Sequence, residues 1–437
     1  LPAGRYRVLL TRGLEWSYDE LELEVGEGEV VSPTWPTLTK QVERPGWLSA
    51  DLHVHSGQSD DSALRSDERI RSFVAEGADV MVITEHDQLS DYQSLIVAAG
   101  LQGNVVAVPG VELTSSAQTK AVPSTSGHLN AFPLVHDPSA YRGGAPPAEN
   151  RRVRQLLTEL SERPVPPVVQ LNHPREVGVD GGMAAFFNHL SQDGDGFDPT
   201  RPLTHPQHRS LTEPVRPGGL RDLDFHVLEL LNGSSMPRYR LVRADWFSLL
   251  LQGEVRTGTA NSDSHRLGEI VALPRNYVAV KSGPLPRFNE TEFVGAVRQG
   301  HLFGTTGPLL TVALGDQGPG ELFSGASGTL EIRVAAADWV PVDEVRVFVD
   351  GRLEARQAIG GNQTVRIPLE FSADGFVVVE IEGHAESDSV YAALAPGFTP
   401  FAFANPIRVD ADEDGRWEPP GLVPPLPDTI LDPLRSP

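Results

Sequence analysis

The sequence predicts a parallel, barrel-like α/β domain over 47–307. A short β segment and linker over 1–46 precede it, and an all-β sandwich with a proline-rich tail over 308–437 follows. Three observations carry this. Between 47 and 307 the pattern strand, loop, helix recurs without a long antiparallel run. Beyond 308 short alternating runs are separated by turn signals. Histidines and carboxylates recur at strand ends, where barrels of this class carry their active sites.

Residues 5–10 and 19–25 alternate polar and apolar, as half-buried strands do. Pro33, Pro36, Pro45 and Gly46 then mark a linker. SADLHVH (49–55) is the first barrel strand, with His53 and His55 leaving one face together. A helix over 66–76 stops at Gly77. ADVMVIT (78–84) leads into Glu85-His86-Asp87, and a helix runs through Tyr92, Leu95 and Ile96. NVVAVPGVEL (104–113) reads as one strand carrying Glu112. GHLNAFPL (127–134) carries His128 at its start. A helix over 149–162 precedes PPVVQLNHP (166–174), which carries His173. FHVLELLNG (225–233), a helix over 238–252, RTGTANSDSH (256–265) with Asp263 and His265, and a helix over 289–299 complete the series. Residues 178–222 break the rhythm with Gly181-Gly182, GDGFDP, His205 and His208. A loop of that length beside His173 reads as a lid or an insertion.

In the C-terminal part EVRVFVD (344–350) and TVRIPLEF (364–371) alternate. Asp350-Gly351 and Asp374-Gly375 are hairpin signals. The tail EPPGLVPPLPDTILDPLRSP reads as extended and draped on the surface, or as disordered.

The strand-end residues are His53, His55, Asp60 or Asp61, His86, Glu112, His128, His173, Asp263 and His265. Six of the 13 histidines are among them, too many for incidental polar residues. The chain has no cysteine, so the ligands are nitrogen and oxygen only, which suits two or three Zn, Mn or Fe ions. The same absence excludes disulfides and cysteine nucleophiles. A net charge of −23 argues against a nucleic-acid surface. No apolar run approaches the ~18 residues of a membrane helix. The chain opens mid-pattern at Leu1-Pro2-Ala3-Gly4. That opening points to a lost leader and an extracytoplasmic (periplasmic or secreted) location, with the cytoplasm as the alternative.

The stretches DLHVHS, ITEHD, VPGVELT, GHLNAFPL, QLNHPR, VLELLNG and NSDSH occur in that order. Together they resemble the PHP (polymerase and histidinol phosphatase) superfamily, in its branch of CehA/McbA-like metallohydrolases. The resemblance implies a distorted (β/α)7 TIM-like barrel with two or three divalent metals. It implies that His53, His55, Glu112 and Asp263 hold one ion, and Glu112, His128 and His173 a second. His86, His265 and an aspartate after the His-Val-His pair would hold a third. The S-x-D-S pattern favours Asp61 for that aspartate, and the spacing of other branches favours Asp60. Glu85 stands where the family pattern has Asp, a change expected to touch the surroundings of the metals rather than their contacts.

Three divalent ions against three carboxylates leave the pocket cationic, which favours a small anionic substrate. Arg175 is a candidate to contact it and His226 a candidate catalytic partner; Glu229 is a candidate to orient a ligand histidine. The expected function is a metal-dependent hydrolase with a metal-bridged hydroxide, acting as a phosphoesterase on a small phosphate mono- or diester. The alternatives are a carbamate, ester or amide hydrolase, and a non-catalytic surface-binding protein that keeps its metals for structure. Asp410, Asp412 and Asp414, followed by Gly415, match the opening of a calcium loop without its final glutamate.

Overall fold

The computed structural model describes residues 1–115, 125–176, 184–190 and 196–435. The chain starts with strands β1 (Gly4–Leu10) and β2 (Asp19–Val25), an antiparallel pair forming a sheet of its own. Leu14 and Val42 tie this segment into the core of the C-terminal half.

The central part contains β3 (Trp47–Val54), β4 (Val80–Ile83), β5 (Val106–Pro109), β6 (Val111–Ser115), β7 (Gly127–Phe132) and β8 (Val168–Leu171). It continues through β9 (Val227–Asn232), β10 (Thr257–Asn261), β11 (Arg275–Ala279) and β12 (Leu302–Thr305). The helices between them are α1 (Ser66–Ala75), α2 (Gln93–Ala98), α3 (Val153–Ser161), α4 (Phe186–His189), α5 (Arg209–Thr212), α6 (Met236–Leu251) and α7 (Glu290–Gln299).

The expected (β/α)7 barrel is not formed. Among the described residues the strands fall into two sheets that do not close on each other. One has the order β10-β9-β8-β7-β6, and the other contains the run β12-β11-β3-β4-β5. Only β3-β4-β5 and β8-β9-β10 pair in parallel; β7, β11 and β12 run antiparallel to their neighbours. Hydrophobic runs do not encode strand direction, so the strand–helix alternation did not secure the parallel pairing it was read to imply. β11 and β12 lie in stretches to which the sequence pattern assigns no element.

The single strand expected over 104–113 is two. Gly110 separates β5 from β6, and the chain passes there from one sheet to the other. A Cβ at Gly110 would meet the carbonyl oxygens of Ile83 and Ala131 and the Phe132 Cβ at 3.0 Å, so the crossing requires glycine.

The two sheets face a shared apolar floor. Leu48, Ala50, Leu52, Val80, Val82, Val108, Phe132, Val168 and Val227 pack there, with Phe293 and Val297 of α7 beneath. A second cluster surrounds α6, which is buried along most of its length around Trp246 and Phe247.

The C-terminal part contains β13 (Leu309–Leu314), β14 (Leu322–Ser324), β15 (Ser327–Ala335), β16 (Glu344–Val349), β17 (Arg352–Ala358), β18 (Gln363–Glu370) and β19 (Gly375–Glu382). It ends with α8 (Val390–Leu394), β20 (Phe401–Ala404), β21 (Ile407–Asp410) and α9 (Asp428–Arg435). Strands β13-β15-β18 form one sheet. The others extend the larger central sheet, because β20 pairs with β12. Inward residues of both sheets share one apolar core.

Two local expectations change. Asp350-Gly351 does turn β16 into β17. Asp374-Gly375 does not make a hairpin: β18 pairs β15, β19 pairs β16, and the chain crosses between sheets. The tail is not extended throughout, since α9 packs on the α6 cluster through the fully buried Ile430. Among the described residues no helix is long and apolar enough to cross a membrane.

Candidate metal centre

The site begins with an irregularity in β3. Ala50 is level with Val80, but Val54 is level with Ile83, so β3 carries one extra residue between them. A bulge of this kind reverses which face the following side chains take. Leu48, Ala50 and Leu52 therefore point into the apolar floor, and beyond the bulge His53 and His55 point inward instead. Val54 packs outward with Ile70 and Phe73 of α1. The loop after β10 is fixed to β3 by the Asp263 amide donating to the His53 carbonyl at 3.0 Å and the His55 amide donating to the Ser264 carbonyl at 3.2 Å.

Glu112, two residues past the Gly110 crossing, stands at the centre. Its Oε2 lies 3.2 Å from His53 Nε2, from His55 Nε2 and from His86 Nδ1. Its Oε1 lies 3.1 Å from His128 Nδ1 and 3.5 Å from His173 Nε2. Asp263 Oδ1 lies 3.2 and 3.3 Å from His53 Nε2 and His55 Nε2. Asp61 Oδ2 lies 3.4 Å from His86 Nε2 and 3.1 Å from His265 Nε2. Donor atoms within 4.8 Å of one another define three groups: His53, His55, Glu112 and Asp263; His86, Glu112 and His128; and His55, Asp61, His86 and His265. His173 adjoins the second group, and Asp60 belongs to none of them.

These groups fit cations. His53 Nε2, His55 Nε2, His265 Nε2, His173 Nδ1 and Asp263 Oδ1 are buried and have no hydrogen-bond partner. Leaving several such atoms unpaired is costly unless something else binds them. The far nitrogens of the rings are held. His53 Nδ1 is 3.0 Å from Glu229 Oε1 and His265 Nδ1 is 2.8 Å from the Asp263 carbonyl. Both partners only accept, so Nδ1 donates, and in the neutral ring the lone pair of Nε2 faces the cluster. Ser59 Oγ holds His55 Nδ1 at 2.9 Å, whereas Thr114 Oγ1, 2.6 Å from His86 Nδ1, holds the nitrogen that faces Glu112 and leaves Nε2 towards Asp61.

The cluster's own field is strong. Burial lowers the pKa of His53, but Asp263, Glu112 and Glu229 outweigh it and raise it well above its ordinary value. Burial raises the pKa of Glu112, but His53, His86 and His128 hold it well below the usual carboxylate range. Protons and dications compete for the same lone pairs, so metal affinity weakens as the pH is lowered.

A further layer of side chains positions the ligands. Glu229 Oε2 accepts from the His173 amide at 2.7 Å and from Asn232 Nδ2 at 3.1 Å. Asn232 Nδ2 also donates to Asp263 Oδ2 at 2.9 Å, and Asn172 Nδ2 to Glu112 Oε1 at 2.8 Å. Glu85 accepts from Ser56 and from Ser59, the residue holding His55. The asparagines sit inside motifs that singled out their neighbours, and their own roles carried no separate signal. Three non-glycine residues with left-handed backbone, Asp87, His173 and Asp263, lie at this centre, at φ of 50°, 24° and 50°. Such strain persists where the surroundings over-determine it.

Two expected site residues lie elsewhere. Arg175 Nε and Nη2 donate to Asp245 at 2.7 Å, and its remaining bonds go to the Phe187 and Phe197 carbonyls. It ties Phe187 and Phe197 to α6 rather than facing the cluster. His226 precedes β9, at the end of the strand remote from the cluster, and its Nδ1 accepts from the Val169 amide at 3.0 Å. Burial, with Arg298 and Arg256 nearby, lowers its pKa to about 4. Parts of the expected lid or insertion, 178–183 and 191–195, lie outside the described residues. At the possible calcium loop, Asp374, Asp410 and Asp412 group together, without Asp414. Asp410 accepts from the Gly415 amide at 3.0 Å and Asp374 from the Ala411 amide at 2.8 Å, so these carboxylates also serve to fold the turn.

No protein-family model matches the chain, and no curated protein matches it. Among solved structures, that of an engineered protein aligns with 78% of this chain and 79% of its own at 12% identity. Its TM-score of 0.16 is too low to bear on fold or function.

Proposed function

We propose that the protein is a metal-dependent hydrolase related to the PHP superfamily, acting on a small phosphate mono- or diester. The observation that supports this most is the convergence of six histidines and three carboxylates, with buried unpaired atoms on His53, His55, Asp263 and His265 among them. His53, His55, Glu112 and Asp263 would hold one ion. Glu112, His128 and His86 or His173 would hold a second, and Asp61, His86, His265 and His55 a third. Divalent ions, when bound, supply Lewis acidity and bring the pKa of water down towards ~7. Glu229, Ser59 and Thr114 fix the rings, and the floor of Leu52, Phe132 and Val227 excludes bulk water from below. The commitment of Arg175 to Asp245 removes one expected cationic contact and favours, as second reading, an uncharged carbamate, ester or amide.

The test is metal analysis of the purified protein, with assays on model phosphate and carbamate esters in Mn, Zn and Fe before and after chelation. Activity should vanish on chelation and fall at least ~100-fold in a His53→Ala/His55→Ala double variant, the order of loss expected when a metal site is removed. Undiminished activity in that variant would sink the hydrolase reading.

A further inference from the structure

We infer that Arg238, in the first turn of α6, binds the anionic group of the substrate beside the metal centre; this rests on the hydrolase reading above. Arg175, the arginine that the motifs favour, is committed to Asp245 and two carbonyls. Arg238 approaches the cluster from another strand end. Its Nη1 lies 3.5 Å from Asn232 Oδ1, at the limit of a hydrogen bond, and Asn232 Nδ2 binds both Asp263 and Glu229. The guanidinium is thus one side chain away from a residue assigned to the metals.

Its other contacts leave donors unused. Arg238 Nη2 pairs with Glu176 Oε2 at 2.9 Å, and Nε is buried without a hydrogen-bond partner. Both members of the ion pair keep about a fifth of their side-chain surface exposed, at 23% and 22%, so solvent-borne ligands reach them. Glu176 follows His173 by three residues, so the pair spans the ends of β8 and β9, on the metal side.

The position is also locally unfavourable. Ser235 caps α6, and Arg238 stands three residues later, where the helix dipole disfavours a cation. Departures from local preference are expected at functional sites. A planar guanidinium suits a phosphate or phosphonate oxygen pair, and Glu176 would release Nη2 to it as the anion arrives.

The test measures binding of inorganic phosphate to the metal-loaded protein by calorimetry, alongside metal content and hydrolysis. Arg238→Met should weaken phosphate binding at least ~10-fold with metal content unchanged, the loss expected for a charge-assisted bidentate contact. Glu176→Gln, which keeps the arginine, should tighten binding. Wild-type phosphate affinity in Arg238→Met, a loss that tracks loss of metal, or no tightening in Glu176→Gln overturns the assignment. A protein that hydrolyses a neutral ester but binds no phosphate also overturns it, leaving the hydrolase reading intact. Arg238-dependent phosphate binding without any hydrolysis does the reverse.

Discussion

Glu229 joins several parts of this centre through its two carboxylate oxygens. One carboxylate fixes His53 through Nδ1, the His173 backbone through its amide, and Asn232 and Asn261 through their side chains. Partners of this kind orient ligand rings, and losing one typically costs 10–100-fold in metal affinity. Glu229→Ala should therefore lower metal affinity by about that factor, read as metal retained after dialysis against a weak chelator. Full retention would show that the rings are held by their packing alone. Candidate ligands were legible in the sequence because histidine and carboxylate at successive strand ends are chemically unusual. Asn172, Asn232 and Ser59 were not, because polar residues of those types are common and only the folded geometry shows which atoms they hold. Arg175 shows the opposite failure: its place beside His173 suggested substrate, but Asp245, 70 residues away, takes it.

At the scale of elements, the alternation and helical spacing placed most strands and helices of the central part. They did not reveal the extra residue in β3 that turns His53 and His55 inward, nor the matching one in β9 between Glu229 and Leu231. A bulge leaves no mark in composition, since it depends on how the neighbouring strand pairs. The C-terminal helix α9 was hidden by its prolines: Pro433 lies within it, and five more precede it from 419 to 427. Tertiary packing decides in its favour. Ile430 is fully buried against the α6 cluster and the Thr429 hydroxyl donates to the Gly351 carbonyl. Ile430→Ala should cost about 2–5 kcal/mol, as large-to-small changes in a packed core do. Denaturant unfolding would measure it, and a loss within error would mean that α9 is held by its polar contacts only.

Across the whole molecule, the expected boundary near 307 is crossed by hydrogen bonds. β12 pairs with β20, and Asn405 of the C-terminal half binds the backbone of Gly258 and Leu302. Buried Glu380 accepts from Tyr239 at 2.6 Å and from Arg243 at 2.9 and 3.0 Å, joining β19 to α6. The two halves should therefore unfold together. Metal at about 100 times its Kd should add about 2.7 kcal/mol to the folded state, and chelation should remove it. Calorimetry should show one transition that shifts as a unit; two transitions, only one sensitive to metal, would contradict the coupling.

The β12–β20 ladder has a consequence for anyone who divides this chain. A fragment ending near 307 would leave Leu302–Thr305 as an uncovered border with unpaired amides and carbonyls, ready to recruit another chain. It would also strip Phe348, Phe376, Phe401 and Phe403 from the packing around α6, leaving a greasy scar beside that border. A fragment cut at the boundary that composition suggests would be prone to aggregate, however complete its histidines.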